Sequence, residues 1–309
     1  MTTSKSYKII VGPRDDEIFT AESFLTYLRL SNQQWSVDSN ESRNCSWVFR
    51  GQSNANWNLV PKAARPLECN PFKDFLKKVE KDGNQPVKPS DTTDEQYLAA
   101  KLCFAVNQAL IEFKQLAEDL LLAKNLEKPW NYDLKAFVEN AGKANFKMHG
   151  PSALAQHHGI PTFLLDWTKR PEIAAFFASS ESQNDCGIAV FALRRTQHPL
   201  MLKGGQEQVY HFVEESPAEN AFLHAQRGIF TTHLEPYHFM KTGEYEPLEK
   251  KIIRAENTYS EILLKKIILQ KAEVPRLAML LSREEFTQAH LMPTLDNVAK
   301  TVMSRLQIK

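Results

Sequence analysis

The sequence predicts an α+β fold, and three observations carry that expectation. Short apolar runs with strand character gather in the second half of the chain, at 187–193, 207–215 and 227–233. A block of helical patterning precedes them, at about 71–150. The two blocks do not alternate as βαβ units would, so helices and strands are expected to segregate.

Taken in order, residues 7–11 read as a short strand. A helix is expected from about Asp16, carrying Phe19, Phe24, Leu25, Tyr27 and Leu28. Residues 47–50 form a strand of Trp, Val and Phe that ends in Arg. Over 71–82, Phe72, Phe75, Leu76 and Val79 recur at helical spacing. Residues 82–93 are polar, with Gly83, Pro86 and Pro89, and read as a loop. A long helix is expected over 94–124, where Leu98, Leu102, Ala105, Ala109, Phe113 and Leu116 run at steps of three and four. Another is expected over 132–141. Residues 152–158 read as a helix ended by Gly159 in a left-handed cap. A buried strand at 163–166 follows, then a helix over 172–180 that Pro171 opens at its first position. Residues 261–269, rich in Ile and Leu, are open to strand or helix. The tail after Val274 reads as helical. The 309 residues are expected to form one globular unit. Its core would be 40–190, with the helical block of 71–150 inserted, and 191–309 would complete the fold.

Composition narrows the function classes. With 38 basic and 37 acidic residues, net charge +1, the chain lacks the basic excess of a nonspecific nucleic-acid or membrane-surface binder. Local clusters such as Arg194-Arg195 and Lys265-Lys266 read as solvated faces. Cys45, Cys69, Cys103 and Cys186 are too scattered for a zinc ribbon and read as reduced thiols. His211, His224, His233 and His238 show no metal-ligand spacing, so no metal is expected. The polar N-terminus lacks an apolar signal core, and no run is long enough to span a membrane. A soluble, cytoplasmic protein with no membrane partner is the expectation. No Walker loop, G-x-G-x-x-G or G-x-S-x-G elbow is present.

Two segments about a hundred residues apart carry the chemistry. One is Trp47-Val48-Phe49-Arg50-Gly51-Gln52. The other is Gln156-His157-His158-Gly159-Ile160-Pro161-Thr162-Phe163-Leu164-Leu165-Asp166-Trp167-Thr168. Each ends an apolar run in polar and charged residues. Converging strand ends that deliver Arg, Gln, Asp, Trp and Thr are the inventory of a site. Gly51 would let backbone approach a ligand. Simpler readings stand beside these. Arg50 and Asp166 could be a structural ion pair. Trp167 could be core, and Gln226 an ordinary strand residue. Adjacent His157 and His158 point about 100° apart on a helix, so at most one faces a site. His158, beside the Gly159 turn, is equally a capping or packing residue.

These segments resemble the FRG domain family, whose Phe-Arg-Gly stands at 49–51. The first block continues through Gln52, Ser53, Trp57, Leu59 and Pro61. The second runs on through Pro171, Ala174 or Ala175, Phe177 and Ala178. Gln226-Arg227-Gly228-Ile229-Phe230 and Met292-Pro293-Thr294-Leu295-Asp296 fit full-length members, so the resemblance covers roughly residues 40–300. Phe163 departs from it, since members often carry Arg or another polar residue there.

The order of parts is also similar to ADP-ribosyltransferases of the Arg-Ser-Glu type. That resemblance implies a split mixed sheet and NAD as substrate. Arg50 would bind phosphate, because a guanidinium fork suits pyrophosphate. Gly51 and Gln52 would anchor the amide, Thr168 would hydrogen-bond ribose and Trp167 would stack. His158 and Gln226 would also line the ligand site. The family's third-strand Glu is missing near Gln226, so Asp166 or Glu235 would supply the carboxylate. Asp166, Arg50 and Thr168 are thus the expected catalytic set. The implied activity is ADP-ribosyl transfer to a protein or nucleic-acid acceptor, or NAD cleavage. The resemblance allows a bacterial toxin or anti-phage role. The other reading is a non-catalytic sensor that binds a nucleotide or peptide in the same pocket.

Overall fold

The computed structural model describes residues 6–15, 17–35, 47–81, 88, 90–122, 152–180, 186–196, 200–202, 208–213, 225–233, 236–255 and 261–306. Within them seven strands form one mixed sheet. These are β1 (Tyr7–Ile10), β2 (Trp47–Gln52), β3 (Leu165–Thr168), β4 (Ile188–Arg194), β5 (His211–Val213), β6 (Gly228–Thr232) and β7 (Leu264–Leu269). Their order across the sheet is β1-β7-β4-β2-β3-β6-β5. β1 and β7 run parallel, and the other neighbours are antiparallel. A mixed helix-and-strand fold is as expected, but helices and strands interleave along the chain rather than segregate. The strands belong to one hydrogen-bonded sheet rather than a split one.

Helices cover both faces. In chain order they are α1 (Ala21–Leu28), α2 (Lys73–Lys81), α3 (Asp94–Asp119), α4 (Ser152–His157), α5 (Pro171–Ser180), α6 (Pro236–Thr242) and α7 (Leu248–Arg254). The tail adds α8 (Val274–Arg283), α9 (Gln288–Leu291) and α10 (Leu295–Arg305). Alternate side chains of each strand face opposite layers, as a pleated strand requires. Phe49, Val190, Ala192, Ile267 and Leu269 pack with α1, α5 and α8. Val48, Leu165, Trp167, Phe191, Leu193 and Leu264 pack against Leu59 and α7 on the other face. A third cluster joins α2 and α3 to Ala63, Phe163, Phe239 and Met240. No described helix is long and apolar enough to cross a membrane.

Several boundaries differ from the sequence reading, each for a local reason. α1 starts at Ala21, because Thr20 and Ser23 cap it reciprocally. Ser23 N donates to Thr20 Oγ1 at 3.2 Å, and Thr20 N to Ser23 Oγ at 2.9 Å. α3 stops at Asp119, followed by a turn in which Leu121 takes φ 56°. β3 begins at Leu165 and runs through Thr168. Leu164 N instead donates to Thr162 Oγ1 at 3.1 Å, a local turn that delays the strand. Residues 261–269 resolve to strand β7. It lies between β1 and β4 and is covered on both faces, which removes the alternation that would have marked it. The short helices α6 and α7 have no counterpart in the sequence reading, since two turns carry too little periodicity to read. The expected 132–141 helix, Asp16, Cys45, His224 and Glu235 lie outside the described residues.

Candidate functional site

β2 and β3 are neighbours, yet their pairing is confined to Phe49 opposite Thr168. On its other side β2 pairs with β4 through all six residues, Trp47–Gln52. Past Phe49, both strand ends line a cleft of about 290 Å³. That volume sits near the lower end of ligand pockets, roughly 300 Å³.

Side chains take over where the ladder stops. Arg50 Nη1 donates to the Asp166 carbonyl oxygen at 2.9 Å and to Asp166 Oδ2 at 3.1 Å. Gln156 Nε2 donates to the Leu164 carbonyl at 3.2 Å and to Asp166 Oδ1 at 2.6 Å. The Gln156 oxygen in turn accepts from Thr162 Oγ1. Both Asp166 oxygens therefore have a fixed partner. The ion pair is lopsided, with the Arg50 side chain 13% exposed and that of Asp166 55%. Its carboxylate faces the cleft while its guanidinium is largely inside. Arg50 Nε and Gln52 Oε1, buried on the same face of β2, have no hydrogen-bond partner among the described residues. Gln52 Nε2 donates to the Asn58 carbonyl at 3.1 Å.

Seven of the eight residues singled out in the sequence line this cleft: Arg50, Gly51, Gln52, Asp166, Trp167, Thr168 and Gln226. His158 does not. It is exposed and stacks on Phe113, ring centroids 6.3 Å apart, so it packs against α3. His157 lines the cleft instead. Burial lowers its pKa, His158 adds to the effect and Asp166 opposes it, so the imidazole is neutral at pH 7. A separation of about 100° lets one of the two histidines face the site, and the packing of α3 decides which.

Local geometry gives several of these residues a second task. Gly51 is required by packing. A Cβ there would lie 1.9 Å from the Ala174 carbonyl oxygen and 2.8 Å from Ala178 N, so α5 fills the space that a ligand was expected to use. The Thr168 hydroxyl donates to the Gln226 carbonyl at 2.7 Å and accepts from Arg170 N at 3.1 Å. It fastens β3 to the turn before β6 and to the start of α5. Trp167 reaches the cleft wall, but it is 3% exposed and belongs to the core. Its Nε1 donates to Thr231 Oγ1 at 2.8 Å. Gln226 Nε2 donates to the Leu291 carbonyl at 3.2 Å, which ties the cleft rim to α9. Phe163 is buried against Phe239, away from the cleft, so its departure from the family pattern falls on packing.

The mouth of the cleft holds residues to which the sequence reading gives no role. Trp57, Lys62 and Arg65 line it, and Arg65 lies over the Trp57 ring, 5.6 Å from its centroid. Trp57 belongs to the first block of the motif, where nothing marks its ring as exposed. Lys62 and Arg65 follow Pro61, where the pattern ends. Gln156 opens the second block without an assigned task. Its glutamine type, so close before Gly159 and Asp166, is the available signal.

A buried polar layer lies beneath the sheet. The Glu249 carboxylate accepts from Leu59 N at 3.0 and 3.2 Å, and burial raises its pKa. The His233 ring nitrogen Nε2 contacts the Tyr245 hydroxyl at 2.7 Å and the Glu246 carbonyl at 3.0 Å. Lys251 Nζ donates to the His233 carbonyl at 2.8 Å. Burial, aided by Lys251, pushes His233 down to about 3. Tyr245 is raised by burial and by Glu249, while Arg50 pulls the other way.

Among the described residues no group of three His, Cys, Asp or Glu could hold a metal ion. Residues 45–186 match the family model of the FRG domain. No curated protein matches the chain, and no solved structure does.

Proposed function

We propose that the FRG-domain cleft binds a phosphate-bearing nucleotide and acts on NAD at its N-glycosidic bond, by hydrolysis or by ADP-ribosyl transfer to an acceptor. One observation supports this above the others. Arg50, Lys62 and Arg65 line a cleft in which, among the described residues, the exposed Asp166 is the one carboxylate. Three guanidinium or ammonium groups against one carboxylate favour an anionic ligand. Lys62 is exposed and Arg65 half-buried, so both can reach phosphate, and Arg50 holds Asp166 in place.

The fit to NAD is partial. Gln52 Oε1 has no hydrogen-bond partner among the described residues, but it is buried and would have to be uncovered to accept from a carboxamide N–H. The Thr168 hydroxyl and the Trp167 ring, expected to meet ribose and base, are committed to the protein. In the reaction, the bond from ribose C1′ to the nicotinamide nitrogen breaks, and nicotinamide leaves with the bonding pair. The Asp166 carboxylate stabilises the positive charge that develops at C1′. Water or an acceptor hydroxyl then bonds to C1′ and gives its proton to solvent.

A second reading, a non-catalytic nucleotide sensor, is favoured by the two partners that already hold the Asp166 oxygens. Calorimetry with NAD, ADP-ribose and AMP, beside chromatographic assay of nicotinamide, separates the two. Binding with release is the expected result. Binding without release on folded protein selects the sensor, and no binding of any of the three overturns both readings.

A further inference from the structure

The tryptophans at and around the cleft are treated differently by the fold. Trp35, Trp47 and Trp167 are buried, at 5%, 6% and 3% exposure, whereas Trp57 is 46% exposed. Its loop is not loose. Ala55 N donates to the Gly187 carbonyl at 3.0 Å, and the Asn58 carbonyl accepts from Gln52 Nε2. Leu59 N is held by Glu249, and Leu248 N donates to the Leu59 carbonyl at 3.3 Å. The Arg65 end is fixed too, because Asn70 Nδ2 donates to the Arg65 carbonyl at 2.7 Å and the Ala63 carbonyl at 3.0 Å. An indole carries one of the largest apolar surfaces of any side chain, roughly 150–250 Å². Holding it half in water on a braced loop, with the Arg65 guanidinium over its ring and Lys62 lining the same cleft, suits capture of a flat aromatic group attached to an anion.

We infer that Trp57, Lys62 and Arg65 form a subsite for a 5′-phosphorylated nucleoside, with the base stacked on Trp57 and the phosphate against Lys62 and Arg65. This rests on the nucleotide reading above and adds where the base goes. It replaces Trp167, whose ring is buried, with a ring that a ligand can reach.

The test is calorimetry with AMP, ribose 5-phosphate and inorganic pyrophosphate on wild-type protein, Trp57→Ala, Trp57→Leu, Trp57→Phe and the double variant Lys62→Ala/Arg65→Ala. Melting curves run alongside. AMP is expected to bind wild type about ten-fold more tightly than ribose 5-phosphate. Trp57→Ala should lower AMP affinity about ten-fold and leave pyrophosphate unchanged, while Trp57→Phe keeps most of the preference. The double variant should weaken all three ligands and flatten their dependence on salt. Equal wild-type affinity for AMP and ribose 5-phosphate overturns the subsite and leaves the nucleotide reading standing. The subsite is overturned as well if Trp57→Ala binds AMP as tightly as wild type. Trp57→Leu, which also lacks a ring, takes its place should the alanine variant not fold. Failure of AMP, ADP-ribose and NAD alike to bind wild type overturns both.

Discussion

Strand β2 is paired on both edges, and the two seams differ. Toward β4 it matches residue for residue from Trp47 opposite Arg194 to Gln52 opposite Ala189. Toward β3 there is one matched pair, and beyond it the Asp166 and Leu164 carbonyls accept from Arg50 and Gln156 side chains. Buried backbone groups must find partners somewhere. A ladder satisfies them with backbone and leaves no room. Side chains satisfy them at longer reach, so the strands end apart and a cleft lies between their tips. The Phe-Arg-Gly sequence serves both seams at once. Phe49 fills the core under α5, Arg50 bridges the open seam, and Gly51 lets α5 lie on the sheet.

The most damaging way to break this arrangement is to close the space over Gly51. Gly51→Ala puts a Cβ 1.9 Å from a backbone oxygen that belongs to a helix and cannot rotate away. The expected loss is roughly 3 kcal/mol or more, at or above the upper end of overpacking costs. Gly159→Ala is the control. It takes φ +95° with nothing within 4 Å of the added carbon, so only backbone strain applies, about 1–2 kcal/mol. Urea unfolding of the two variants measures the difference. Equal losses would mean that the contact with α5 is not what requires a glycine at 51.

A smaller effect is expected at the bridging pair, and it should depend on which atoms remain. Asp166→Ala leaves a largely buried guanidinium with one carbonyl partner. A fully buried broken pair costs about 3–5 kcal/mol. Asp166 is more than half exposed, so solvent screening reduces this to about 1–2 kcal/mol. Asp166→Asn keeps an oxygen for one neighbour and should cost under about 1 kcal/mol. Both changes are expected to abolish nicotinamide release if the charge acts at C1′. Thermal melting beside the release assay separates the roles. An asparagine variant that melts like wild type and remains fully active would reduce Asp166 to a fastener.

The contrast between the seams also explains what could be read from the chain. The apolar runs leading into Arg50 and Asp166 announce two strands from sequence alone, but not their ends: Arg50 lies inside β2, and Asp166 is the second residue of β3 rather than its last. That they would be adjacent follows from the co-occurrence of chemistry-bearing residues, and the sheet order places them so. What could not be read is where each polar atom is spent. Thr168 looks like a free hydroxyl in sequence, yet its partners are Gln226 and Arg170, the former 58 residues away. Trp167 and Trp57 are the same residue type, and burial decides which ring a ligand can reach. His157 closes α4 and lines the cleft, whereas His158, one residue beyond it, meets Phe113. These are tertiary facts with no local signal.

The mildest test addresses the one rung that the open seam retains. Thr168 lies opposite Phe49, and its hydroxyl spans two otherwise separate pieces, the Gln226 carbonyl before β6 and Arg170 N at the start of α5. Thr168→Val keeps the shape and removes both hydrogen bonds. A backbone donor and acceptor would then be left without that partner at a site where Thr168 is 6% exposed. Each unmade bond costs about 1–3 kcal/mol when fully buried. Arg170 and Gln226 are not fully buried, so water recovers much of that and the net loss should be about 1 kcal/mol. Thr168→Ser restores the hydroxyl and should recover most of it. The same hydroxyl would have the opposite signature as a ribose contact, with stability unchanged and nucleotide affinity reduced in the valine variant. Urea unfolding and AMP calorimetry on the two variants discriminate cleanly. A stable Thr168→Val protein that binds AMP several-fold more weakly would return the residue to the ligand site.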